Sequence, residues 1–128
     1  MNPSAKAVLK SYRDLLVWQK SMDLAAAVYQ AAKLLPSSER FGLVTQMQRA
    51  AVSVVANIAE GYGRSHRGDY LHHLSIANGS LKEVETHLLL SVRLGHVEEK
   101  QIEPALELAS EVGRMLSSLM QKLKVRSF

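Results

Sequence analysis

The sequence predicts an all-α protein, an up-down-up-down antiparallel four-helix bundle, and three observations carry that expectation. Of 128 residues, 47% are hydrophobic but only 5% are aromatic, so a core must be built from Leu, Ala, Val, Ile and Met, which favours helix on helix. Four segments repeat apolar residues at alternating steps of three and four. No segment alternates with period two, and no Asn-Gly or Asp-Gly pair separates β-branched runs, so no hairpin is signalled. The length suits one core, with a flexible N-terminal arm over 1–11 and a single bundle domain over 12–126.

The first seam is Leu15, Trp18, Met22, Ala25, Tyr29 and Ala32, ended near Leu35 by Pro36. Pro36-Ser37-Ser38-Glu39 reads as the next helix entry, with Ser as N-cap and Glu39 in the first turn. The second seam is Val44, Met47, Ala51, Val54 and Ile58, stopped by Gly61 and Gly63. Residues 65–68 form a link, and Asp69 opens the third helix. Its seam is Tyr70, Leu74, Ala77, Leu81, Val84 and Leu88, closed by Gly95. Gly79 costs about 1 kcal/mol relative to Ala in mid-helix, which predicts that it, with Ala77, admits a close helix contact. Residues 96–100 form a polar link. The fourth seam is Ile102, Ala105, Ala109, Val112, Leu116, Leu119 and Leu123, with Pro104 in the first turn.

Short links make sequential neighbours antiparallel. The start of helix one, the turn between helices two and three, and the end of helix four then share one pole. That pole gathers Lys6, Lys10, Arg13, Arg64, Arg67, Lys122, Lys124 and Arg126, with His66 nearby and only Asp14, Glu60 and Asp69 against them. Glutamates crowd the start of helix four, so the bundle is expected to be electrically polarised although its net charge is only +4. Helix-dipole complementarity explains part of this arrangement; an anion-facing end that contacts phosphate is the functional reading.

Arg49, Ser53, Asn57 and Glu60 follow one another at steps of four, four and three, so they share a helix stripe. A polar network between helices or subunits is the expectation for it. A second polar stripe, Ser75, Asn78, Lys82 and Glu85, lies on helix three.

Several function classes find no support. There is no cysteine, hence no disulfide, thiolate nucleophile or Cys-based zinc site, which fits a reducing compartment. The first residues hold no apolar signal core. The longest apolar run, Ala50 to Ala59, is half a membrane span, so no membrane association is expected and the localisation reads as cytoplasmic. A di-iron bundle needs Glu-x-x-His on two helices; Glu83 and His87 are four apart on one, so no metal and no cofactor are expected. Ser53 has no activating histidine on its own helix. Gly61-Tyr62-Gly63 lacks the Gly-Lys-Ser/Thr of a phosphate loop. No catalytic residue is assigned.

The chain resembles the bacterial four-helix-bundle family encoded in intervening sequences of 23S ribosomal RNA genes. The matching residues are Tyr12-Arg13-Asp14-Leu15, Trp18-Gln19-Lys20, Pro36 with Glu39, and Leu43 with Gln46. They continue through Arg49-Ala50-Ala51-Val52-Ser53, Asn57-Ile58-Ala59-Glu60-Gly61, Tyr70, Leu74, Ala77-Asn78-Gly79-Ser80-Leu81 and Glu83-x-Glu85-Thr86. The family often carries two basic residues before the Ala50 position; here one of them is Gln48. The family is in turn similar to the accessory variability-determinant proteins of diversity-generating retroelements, pentameric barrels that associate with nucleic acid and a reverse transcriptase. The resemblance implies the fold and a homo-oligomer, a pentamer, more directly than an activity.

The expected function is therefore a non-enzymatic, oligomeric accessory protein that meets RNA or DNA backbone, and a nucleic-acid-processing protein as a further partner. Arg13, Arg64, Arg67, Lys122, Lys124 and Arg126 are its nucleic-acid-binding candidates, with Arg49, Ser53, Asn57 and Glu60 as the family-motif stripe. The alternative is a protein-interaction scaffold with no nucleic-acid role.

Overall fold

The computed structural model of the chain describes residues 9–125. Lys6, Arg126 and most of the expected N-terminal arm lie outside the described residues. A 3₁₀ turn at Tyr12–Asp14 leads into α1 (Leu16–Ala32). A second 3₁₀ turn at Ser37–Glu39 precedes α2 (Leu43–Tyr62), followed by α3 (Arg67–Arg93) and α4 (Glu99–Val125). The helices close a ring in which α1 and α3 each pack against both α2 and α4. Contacts run antiparallel: Lys20 pairs with Glu111 at 3.5 Å, and Ser53 meets Ser80 at 2.7 Å. This is the four-helix bundle that the spacing predicts, without a strand among the described residues.

The core is aliphatic. Leu24, Met47, Ile58, Leu74, Leu81, Leu88, Ile102 and Leu116 are fully buried, and no aromatic side chain is fully buried among the described residues. The expected seams of α2, α3 and α4 are largely the observed ones, with Val44, Tyr70, Leu119 and Leu123 only half-buried at their ends.

In α1 the expected seam is corrected. The buried face is Val17, Ser21, Leu24, Val28, Ala31 and Ala32, while Met22 and Tyr29 are 46% and 41% exposed. This helix is apolar nearly all round, so two adjacent stripes satisfy the same three-four rhythm. Centring Trp18 and Tyr29 in the core would bury an N–H and an O–H that need partners. The observed face buries one small hydroxyl, Ser21, instead.

Gly79 is a second correction. It is exposed, and nothing lies within 4 Å of where its Cβ would stand. It is two residues from both Ala77 and Leu81, which turns it roughly 200° from the core face. The tight glycine is Gly61, read from sequence as a helix stop. It is buried inside α2, and an added Cβ would lie 2.8 Å from the Cβ of His73 and 3.1 Å from a ring carbon of Tyr70.

Capping also differs from expectation. Neither Ser37 nor Ser38 caps α2. Gly42 is its N-cap, and the Glu39 carboxylate accepts the Leu43 N–H at 3.1 Å. Ser11, expected in the loose arm, instead forms a capping box with Asp14 over the first 3₁₀ turn. Pro104 sits in the second turn of α4, not its first, where it deletes a donor to the exposed Lys100. The α3–α4 link is not wholly polar, because Val97 is buried in it. Gly95 takes φ 79° just beyond α3, and the His96 and Gly95 N–H groups donate to the Ser91 and Val92 carbonyls, a Schellman closure.

Candidate functional site

Two polar features stand out: a network between α2 and α3, and the basic pole. The network begins with Ser53 and Ser80, whose small side chains let the helices approach until their hydroxyls meet at 2.7 Å. Asn57 Nδ2 donates to the Ser53 carbonyl at 2.9 Å and reaches its hydroxyl at 3.2 Å. That leaves Asn57 Oδ1 as an acceptor, and His73 Nδ1 lies 3.0 Å from it. The amide orientation therefore makes His73 Nδ1 the donor of this pair. Ser53 and Asn57 were visible as a stripe in the sequence; Ser80 and His73, their partners, were missed. A signal was present. All four residues immediately precede a core residue, Val54, Ile58, Leu74 and Leu81, so all four flank the same side of their seams.

The stripe does not act as one unit. Arg49 and Glu60 are exposed and turned outward. Glu60 pairs with Arg64 at 3.1 Å in solvent, where such a pair contributes little. Arg49 edges a groove of about 270 Å³ beside Ser53, Ser80 and Glu83. The network links helices, and within it His73 reaches Ser53 only through Asn57. No imidazole nitrogen hydrogen-bonds to either serine among the described residues.

The helix three stripe borders a second groove. Asn78, Lys82 and Glu85 line a groove against the chain's own α4, and Ser75 is exposed outside it.

The basic pole follows from the ring. The 3₁₀ turn carrying Arg13 packs against α2, and Lys122 lines a groove with Leu15 and Leu16 at the start of α1. Arg64 lies in the α2–α3 turn, and Arg67 is the first residue of α3. Lys122 and Lys124 occupy the last turn of α4. All five side chains are exposed. The structure brings these five candidates to one end; Arg126 lies outside the described residues. Arg13 is steadied by Tyr12, whose ring its guanidinium overlies at 5.9 Å and which packs edge-on against Trp18 at 5.3 Å.

Beneath the turn, Tyr62 and Tyr70 meet edge to face at 6.1 Å beside Gly61. Burial, with Tyr62 adding to it, pushes the Tyr70 phenol up to about 12, so it stays neutral. The opposite pole carries both signs of charge. Glu39, Glu98, Glu99 and Glu103 are matched there by Lys33, Arg40, Arg93 and Lys100.

Among the described residues, no three His, Asp or Glu side chains converge as a metal site, and no helix is long and apolar enough to cross a membrane.

Residues 13–118 match the 23S rRNA-intervening sequence protein family. The chain belongs to this family. Its fold is similar to a crystal structure of a protein of unknown function from the S23 ribosomal protein family of Bacteroides thetaiotaomicron. The two share 27% identity and a TM-score of 0.76, over 82% of this chain and 98% of that one. No curated protein matches the chain. The family match takes in Arg13, Arg64, Arg67 and the whole Ser53–Asn57–His73–Ser80 network; Lys122 and Lys124 lie beyond it.

Proposed function

We propose that this protein is a non-enzymatic, homo-oligomeric accessory protein that associates with the phosphate backbone of RNA or DNA through its basic pole. The observation that carries the reading is the gathering of exposed cations at one end. Among the described residues, Lys10, Arg13, Arg64, Arg67, Lys122 and Lys124 share that end with three acids, Asp14, Glu60 and Asp69. All six are exposed, where a polyanionic partner could reach them. A cyclic oligomer would align the poles on one ring face and multiply a modest charge into a broad positive surface. The pentamer is the state suggested by the resemblance to accessory variability-determinant proteins. Exposed Tyr29 and Val52 beside a groove of about 410 Å³ supply apolar area for such a contact. A nucleic-acid-processing protein would be a natural further partner.

The test combines light scattering with binding to structured RNA across a salt series. A mass near five chains is expected, with affinity that falls as salt rises. Changing Arg64, Arg67, Lys122 and Lys124 together to Gln should preserve assembly and make the salt dependence shallower. No binding by the wild type at low salt removes the reading. The scaffold alternative would then take its place, favoured by Phe41, which is 87% exposed at the opposite pole.

A further inference from the structure

The groove between α3 and α4 encloses about 530 Å³, within the ~300–1,000 Å³ range of ligand clefts. Its floor is Ala109 and Gly113, so small residues leave the space open. Gly113 is held to this role, since an added Cβ would stand 3.3 Å from Leu81 beneath it. The walls carry Lys82, Arg114 and Lys124, with the amides of Asn78 and Gln121 and the hydroxyl of Ser117 between them. Among the described residues Glu85 is the single carboxylate in the lining, and it lies 3.5 Å from Lys82. Arg114 donates to Ser110 Oγ at 2.8 Å, and no carboxylate forms an ion pair with it among the described residues.

We propose that this groove binds a single-stranded phosphodiester segment of RNA or DNA. The inference rests on the nucleic-acid reading above and adds a second, distinct contact surface to it. Cations and neutral donors together form the set that phosphate and sugar oxygens require. Packed helices stand about 8–10 Å axis to axis, so the furrow between them admits one strand and not a duplex.

The groove also has a direction. On α4 its lining residues, Ser110, Arg114, Ser117, Gln121 and Lys124, recur at steps of four, three, four and three. At 1.5 Å rise per residue they form a track of about 21 Å that opens at the basic pole. Continued the other way, the same stripe becomes Glu107 and Glu103, which repel phosphate and end the track. Among the described residues the lining holds no aromatic ring, so phosphate and sugar contacts, which tolerate sequence, carry the binding.

The full chain is titrated into a fluorescein-labelled oligouridylate of about twelve nucleotides and into a labelled RNA duplex of similar length, by anisotropy across a salt series. Expected for Lys82→Gln/Arg114→Gln is roughly tenfold weaker oligouridylate binding and a salt slope shallower by about 0.7 per cation removed. Duplex binding at the pole should be unchanged in this variant. Ser117→Leu, which plugs the groove without altering charge, should weaken oligouridylate alone, and Arg114→Lys should retain most of the affinity. Oligouridylate binding that is unaltered in both Lys82→Gln/Arg114→Gln and Ser117→Leu overturns the groove. If duplex binding still falls in Arg64→Gln/Arg67→Gln, the basic pole survives that result. Absence of wild-type binding to either probe removes both readings together. If pyrophosphate binds in an Arg114-dependent way and oligouridylate does not, the groove belongs to a small polyphosphate and the strand is overturned.

Discussion

The two ends of the bundle are held by different means. At the end that joins α1 to α2 and α3 to α4, side chains cross-link the links. Glu39 accepts the Leu43 N–H through one oxygen and His96 Nε2, at 2.9 Å, through the other. One carboxylate thus caps α2 and ties it to the α3–α4 connection, while Val97 anchors that connection in the core. At the basic end, residues 63–69 are all exposed, and no side chain caps α3. The turn rests on backbone hydrogen bonds and on Gly61 seated against Tyr70 and His73. One end uses its polar residues to hold the fold. At the other, the α2–α3 turn relies on one tight glycine contact and leaves its charges facing solvent.

The largest effect is expected at that glycine. Gly61→Leu forces a branched side chain into a gap already closed by His73 Cβ and the Tyr70 ring. Overpacking should cost about 3 kcal/mol in urea unfolding, with Gly61→Ala nearer 1 kcal/mol. Gly79→Leu should change little by comparison, because open space surrounds it. An unaffected Gly61→Leu variant would mean that α2 and α3 separate freely at the turn, and the contrast between the ends would fail.

Next comes the clasp. The Leu43 N–H, and after it the His96 ring, hold the Glu39 carboxyl below its ordinary value of 4.5. A carboxyl with a depressed folded pKa contributes stability that is fully present above its unfolded value and is lost as pH falls through the folded one. Glu39→Gln should therefore lower Tm at pH 7, and the gap to wild type should close as pH drops below about 4.5. A gap of constant size across that range would show that the carboxylate charge plays no part in the clasp.

How far the sequence discloses these features depends on whether local spacing or tertiary choice decides them. Four seams with three-four spacing give the bundle and its ring order, because only one face of α2, α3 or α4 is apolar enough to bury. In α1 two faces qualify, and the partners decide between Ser21 and Met22. Gly61 and Gly79 look alike in a helical pattern; their roles depend on which neighbour each faces. The Ser53–Asn57 half of the network is local and readable, whereas Ser80 and His73 join it only through antiparallel pairing. The α1 assignment has a direct test. The Ser21 hydroxyl is buried without a hydrogen-bond partner among the described residues, so Ser21→Ala should stabilise by about 1 kcal/mol. Met22→Ala, on the exposed side, should stay within about 0.5 kcal/mol. The reverse pattern in thermal unfolding would restore the seam through Met22.

The smallest stability effect is expected where the functional one is placed. Arg64 and Arg67 are exposed, and among the described residues the only ion pair between them and the fold is Arg64 with Glu60, both partners about half in solvent. Arg64→Gln/Arg67→Gln should leave the unfolding free energy within about 0.5 kcal/mol of wild type, since exposed pairs contribute little. The same variant should make nucleic-acid affinity less steeply dependent on salt, because fewer counterions are released when it binds. The two measurements separate the roles of the ends. Charges retained for folding would shift stability and leave the salt slope alone. Charges retained for a polyanionic partner would do the opposite. Loss of more than about 1 kcal/mol would make this turn a structural clasp like the one at Glu39, and its cations would no longer count as a surface left free for binding.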